Sequence, residues 1–308
     1  MITFRFQVNH SVVHRLSPFC LMAWVLSLMV ASLFFENPLY LAALFLATVS
    51  MAILSGIWRQ WLSLVIFAII LGFAIMIINA VVINDGSTVL LESTFSIPTL
   101  GVLRVTVEAI FFALSMALRI LVMVSAFAVF NFTVHPDDQM LALIQLKVPY
   151  KSVLVVSLAT RFVPALFEDL DRLTMVQQTR GMEIQKGSLW QRIKNRSLIL
   201  VPLLSNSLDR CIQIAEAMES RAFGQGKNRT YFKHLDITPF DIFTILLGFL
   251  PLIWGILMLI NLSGSYDAYA DWRVPLPSLK ELYGLGVMFA GSVLLSLSGF
   301  LKRRFDLD

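Results

Sequence analysis

Two arginines, each between small residues, carry the first chemical suggestion in this sequence: Thr179-Arg180-Gly181 and Ser220-Arg221-Ala222. A guanidinium is a planar, permanently charged fork of N–H donors that grips a carboxylate or backbone oxygens at two points. Small neighbours leave that fork free to enter a partner's groove. Taken singly, each arginine also reads as a cation offsetting the negative end of a helix macrodipole. The repetition of small-Arg-small, with Gly181 at one stop and Gly224 soon after the other as left-handed C-caps favour, points to docking.

Other chemistry-bearing residues are weaker. Glu108 and Arg119 fall within an apolar run, where charge is costly enough to mark a function or a buried partner. Eleven residues separate them by ~16 Å along a helix, too far to pair directly. Glu108 is expected near the outer interface, and Arg119 in a structural ion pair or carbonyl contact, with a substrate pathway as the alternative. His135-Pro136-Asp137-Asp138 reads as a turn and helix N-terminus rather than a hydrolase or acyltransferase site. Glu168, Asp169 and Asp171 are split by the apolar stripe of their own helix and adjoin Arg172, so they do not form a paired-acid site.

Gly224-Gln225-Gly226-Lys227-Asn228 lacks the spacing and the hydroxyl that hold phosphate and magnesium in a P-loop. The four histidines are scattered, and Cys20 and Cys211 lie far apart, so no metal site, cofactor or disulfide is expected. No Ser/His/Asp or Cys/His nucleophile arrangement is readable. The chain is expected not to be an enzyme and not to bind nucleic acid.

The elements that position these residues follow from composition. With 57% apolar and 14% charged residues, the chain is far more apolar than a soluble domain, and lipid must be part of its solvent. Apolar runs at about 18–35, 39–57, 61–83, 105–131, 240–262 and 282–300 approach the ~20 residues a spanning helix needs. The reading is therefore an all-α integral membrane protein with about six transmembrane helices plus a cytoplasmic coupling domain of long amphipathic helices. Residues 1–131 would form a bundle of four spans, 132–238 the inserted domain, and 239–308 two more spans. The first run, which lacks a small-x-small cleavage site, is expected to be retained.

With both termini inside, cytoplasmic segments hold 20 of the 24 Lys and Arg, which orients the inserted domain to the cytoplasm. Within that domain a short helix Met140 to Lys147 is expected to end at Val148-Pro149. A helix over about 150–180, bent at Pro164, carries Val155, Ala159, Phe162, Leu166, Leu170 and Leu173 on one stripe, with Glu168 and Arg172 paired on another face. A second helix follows the Gly181 to Gly187 loop, broken or bent at Pro202. Its stripe is Val201, Leu204, Leu208, Cys211 or Ile212, Ala215 and Met218.

At this point the sequence resembles the transmembrane T components of energy-coupling factor transporters, importers of vitamins and metal ions related to ABC systems. The resemblance is carried by Thr133-Val134-His135-Pro136-Asp137-Asp138, by Leu143-Ile144-Gln145-Leu146-Lys147-Val148-Pro149, by Arg161-Phe162-Val163-Pro164 with Glu168, by Gln178-Thr179-Arg180-Gly181, and by Arg221-Ala222-Phe223-Gly224. His14-Arg15-Leu16-Ser17-Pro18 before the first run adds to it. It covers about 90 residues strongly and the spans weakly.

The family's usual signature is Ala-Arg-Gly at both helix ends, and both motifs here keep the arginine while changing a flank. The resemblance implies that Arg180 and Arg221 each dock into one of two cytoplasmic ATPase subunits, with a separate membrane S component binding the substrate. It further implies a multi-pass protein of a bacterial or archaeal cell membrane. The alternatives from the residues alone are a stand-alone membrane transferase and an ordinary ABC permease.

Overall fold

A computed structural model describes residues 13–82, 88–97, 101–181, 189–224, 238–260 and 278–305. The chain divides into two compact units, Met1–Gln139 with Leu235–Asp308, and Met140–His234.

The first unit is a helix bundle. After a single turn at Val13–Arg15 come α1 (Pro18–Phe34), α2 (Pro38–Ser55), α3 (Trp58–Val82) and α4 (Val107–Thr133); α8 (Pro239–Gly248), α9 (Leu250–Ile260) and α10 (Leu279–Phe305) follow later in the chain. Proline at the first turn of α1, α2 and α8 suits the helix start, where its missing N–H leaves no bond unmade.

Among the described residues, five stretches are long and apolar enough to cross a bilayer: Pro38–Ser55, Trp58–Asn79, Val107–Thr133, Pro239–Met258 and Leu279–Gly299. The sixth expected span, α1, is an apolar helix of 17 residues, at the short limit for crossing. The chain is a multi-pass helical membrane protein.

The run expected to cross as one helix over 240–262 is instead two, meeting at Phe249. Pro251 lacks an N–H and restrains the residue before it, which interrupts the ladder there. Helix α1 covers the interruption: Cys20 Sγ donates to the Thr244 carbonyl at 3.3 Å and Ser27 Oγ to the Gly248 carbonyl at 2.6 Å. A Cβ on Gly248 would come within 3.2 Å of the Cys20 carbonyl and the Trp24 nitrogen, so glycine allows the two backbones to meet. Small residues and neighbouring hydroxyls are how a broken helix is tolerated in lipid.

Helix α4 packs against α1, α2 and α3, while α1 also meets α8 and α9. Buried Trp24, Trp61, Leu28, Leu41, Leu44, Met51 and Val122 fill the core. Its polar centre is Ser125, whose hydroxyl accepts from Trp61 Nε1 at 2.9 Å and shares a 2.6 Å hydrogen bond with Thr48, joining α2, α3 and α4.

A short hairpin lies between α3 and α4 of the otherwise helical fold. β1 (Val89–Ile97) and β2 (Gly101–Thr106) pair antiparallel with an irregular register. No apolar run fills this stretch, and its β-branched residues favour extended backbone.

The second unit holds two long helices, α6 (Tyr150–Thr179) and α7 (Leu189–Ser220), packed against each other. α5 (Pro136–Gln145) precedes them and starts four residues earlier than expected, with proline at its first position. There the His135 imidazole Nδ1 accepts from the Asp137 N–H at 3.1 Å. α7 runs unbroken through Pro202, as α6 does through Pro164. Each proline removes a single N–H from a ladder of about thirty residues. The expected loop from Gly181 to Gly187 lies largely outside the described residues.

Candidate functional site

The two arginine motifs form matching helix ends. Arg180 is the C-cap that follows Thr179 at the end of α6 and precedes Gly181, which stands at φ +82° and donates its N–H to the Gln178 carbonyl at 3.0 Å. Arg221 occupies the same position after α7. Ala222 stands at φ +54° and donates to Glu219 at 2.8 Å, and Phe223 donates to Met218 at 2.9 Å, which completes a Schellman cap. The left-handed residue turns the chain away and leaves the preceding side chain at the helix tip.

The flanking hydroxyls also match. Thr179 Oγ1 donates to the Val176 carbonyl at 2.8 Å and Ser220 Oγ to the Ala217 carbonyl at 3.0 Å, each folding back one turn. Neither can crowd the guanidinium beside it. Arg180 and Arg221 are both exposed, and neither side chain forms an ion pair or hydrogen bond among the described residues.

The apolar stripes run along the two helices that end in these tips. On α7, Val201, Leu204, Leu208, Cys211, Ile212 and Ala215 are exposed, Val201 at 70%, and Met218 is half-buried. On α6, Val155 and Ala159 are exposed, while Phe162, Leu166, Leu170 and Leu173 are half-buried. From Val201 to Ala215 the α7 stripe is thus bare among the described residues.

Among the described residues, an ion pair and a ring contact are part of what joins the helices. Arg210 Nη2 donates to Asp169 Oδ2 at 2.8 Å, and the Tyr150 ring meets Phe223 edge-on at 6.4 Å between centroids. Reading the sequence missed both. The signal for the first lay in the spacing, because Asp169 and Arg210 each precede an arginine tip by eleven residues. The expected Glu168–Arg172 pair is present at 4.0 Å, but both side chains are more than 70% exposed, so its contribution is a few tenths of a kcal/mol at most.

The two intramembrane charges take up separate tasks in the other unit. Arg119 donates from Nε to the Ser32 carbonyl and from Nη2 to the Phe35 carbonyl, both at 3.0 Å, and from Nη1 to Met116 Sδ at 3.3 Å. It therefore covers the carbonyl end of α1, where the macrodipole favours a cation. Glu108 is 1% exposed. Its Oε1 accepts from the Thr88 N–H at 3.2 Å and the Thr88 hydroxyl at 2.6 Å, tying the start of the hairpin to α4. No group of three or more metal-ligating side chains gathers among the described residues.

Residues 9–232 match the family described as CbiQ, cobalt transport protein. The chain belongs to this family, the transmembrane components of energy-coupling factor transporters. It is similar to the energy-coupling factor transporter transmembrane protein of Streptococcus equi, 28% identical over 260 residues that cover 80% of this chain and 92% of that one. With the same-named protein of Ruminiclostridium cellulolyticum it is 28% identical over 166 residues, 51% of this chain and 62% of that one. A candidate ABC transporter ATP-binding protein of Bifidobacterium longum is 30% identical over 246 residues, which are 76% of this chain but 30% of that protein. For this CbiQ-family chain, the matched range includes both arginine tips, α1 to α7 and the hairpin.

Proposed function

We propose that this chain is the coupling subunit of an ATP-driven importer for vitamins or transition-metal ions. Arg180 and Arg221 each dock into one of two cytoplasmic ATPase subunits, and a separate membrane S component binds the substrate. The observation that carries the reading is the matched pair of exposed guanidinium groups, each set one residue before a left-handed turn and flanked by a hydroxyl that folds away. Two equivalent forks suit two equivalent grooves lined with carboxylate or backbone oxygen.

The bare apolar stripe on α7 supports an S component as its occupant, since a contiguous exposed apolar face marks an interaction surface. The Bifidobacterium relative supports an ATP-handling neighbour, because its matched part is a minor portion of a protein named for ATP binding. In this reading the division is a four-span part over 1–131, a coupling domain over 132–238 and a two-span part over 239–308. Both termini and the coupling domain lie in the cytoplasm, and the bilayer is that of a bacterial or archaeal cell. Chemistry on ATP belongs to the partners, and this chain transmits movement.

ATPase closure moves the two tips relative to each other, and the helix faces pass that movement to the S component. Such coupling requires different contacts in the two states. The test is the double variant Arg180→Ala with Arg221→Ala in cells that depend on uptake. Membrane insertion should persist while coupled uptake is abolished, with single variants milder. Normal uptake by the double variant would remove the docking claim. Purification with native neighbours should yield two ATPase copies and a small hydrophobic protein.

A further inference from the structure

Asp169 and Arg210 lie eleven residues before Arg180 and Arg221 respectively, so at 1.5 Å per residue each tip stands ~16 Å beyond one shared ion pair. Tyr150 at the start of α6 meets Phe223 just past the end of α7, so the helices run in opposite senses. The two arms therefore leave the ion pair in opposite directions, which sets the tips on the order of 30 Å apart.

We propose that the Asp169–Arg210 pair is the fulcrum of this lever: the two side chains are positioning residues that fix the spacing of the arginine tips and the point about which the helices turn. The inference rests on the docking reading above. Its physical basis is the kind of contact found at this point. An interdigitated apolar seam resists rotation because every knob must leave its hole, whereas charge attraction depends on distance more than on angle. A single ion pair can hold two helices together while they rotate about it.

Its surroundings suit that task. The Asp169 side chain is 17% exposed and that of Arg210 36%, sheltered enough to escape full screening yet not sealed in place. The Glu168–Arg172 pair lies within one helix and does not cross to α7. The Tyr150–Phe223 contact falls on the Arg221 arm alone, so a shift at that tip is carried to the start of α6.

The test uses the full chain in nanodiscs of phosphatidylethanolamine and phosphatidylglycerol. In a Cys211→Ser background, spin labels are placed through Gln178→Cys and Ala217→Cys, near the two tips. One narrow distance distribution near ~24 Å is expected for the native pair, since the labels lie nine and seven residues from it, broadened or shifted in Asp169→Asn and in Arg210→Gln. The exchanged pair, Asp169→Arg with Arg210→Asp, should restore it. In cells, the single variants should lose about fivefold or more of coupled uptake and the exchanged pair should recover most of it, as a pairwise interaction of ordinary size requires.

A native distribution in both single variants, or an exchanged pair that stays broad, overturns the fulcrum. The distance measurement involves no ATPase. A fulcrum that passes it while the double arginine variant transports normally leaves the geometry intact and removes only the docking reading.

Discussion

Ala222 stands at φ +54° in the place that Gly181 fills at φ +82°, so an alanine holds the left-handed position of a cap that glycine usually takes. That conformation costs a residue with a Cβ about 1–2 kcal/mol, and the cap hydrogen bonds of Ala222 and Phe223 offset it. Helix-end geometry at Arg221 is thus kept despite the departure from Arg-Gly.

Ala222→Gly is expected to stabilise the last turn of α7 by about 1 kcal/mol, which slows amide exchange there about fivefold. Ala222→Val should do the opposite. Hydrogen exchange of the purified chain checks both, and equal rates in the three proteins would mean that the cap is not formed.

Arg119 covers the carbonyl end of α1 from α4, and each of its two carbonyl contacts is a hydrogen bond to a charged group. Arg119→Met should destabilise the bundle by on the order of 2–4 kcal/mol, because it uncaps Ser32 and Phe35 while keeping the volume. Arg119→Lys should fall between, since an ammonium lacks the fork that spans two carbonyls. Thermal unfolding in detergent reads the series, and a Met variant as stable as the parent contradicts it.

His14, in the turn before α1, is held below its ordinary imidazole value chiefly by burial, against the opposing effect of its hydrogen bond to the Phe132 carbonyl. A depressed folded-state value means that the unfolded chain takes up the proton first. The contribution of His14 to stability is therefore intact above about pH 6.5, declines as pH falls toward the depressed value, and is level below it. His14→Gln should flatten that decline in a series of unfolding temperatures from pH 8 to 5. An unchanged slope would show that other groups produce it.

Much of this architecture was legible because membranes reduce the choices. A chain in lipid must satisfy its backbone internally, so long apolar runs become helices, and the expected spans at 39–57, 61–83, 105–131 and 282–300 match α2, α3, α4 and α10 closely. The amphipathic spacing of α6 and α7 and the small-Arg-small motifs at their ends were equally local. They depend on periodicity and on which residues tolerate a left-handed turn.

What only the tertiary structure decided involves partners distant along the chain. Hydropathy over 240–262 contains no sign that Cys20 and Ser27 stand ready to take up the carbonyls beside a break at Phe249. Nor does it show that Arg119 caps a helix more than eighty residues earlier, or that Glu108 holds Thr88. Asp169 and Arg210, forty-one positions apart, became a pair only when α6 was laid against α7. Local preference is set by each residue and its near neighbours, whereas a long-range contact depends on where packing carries two segments, and packing is a property of the whole bundle.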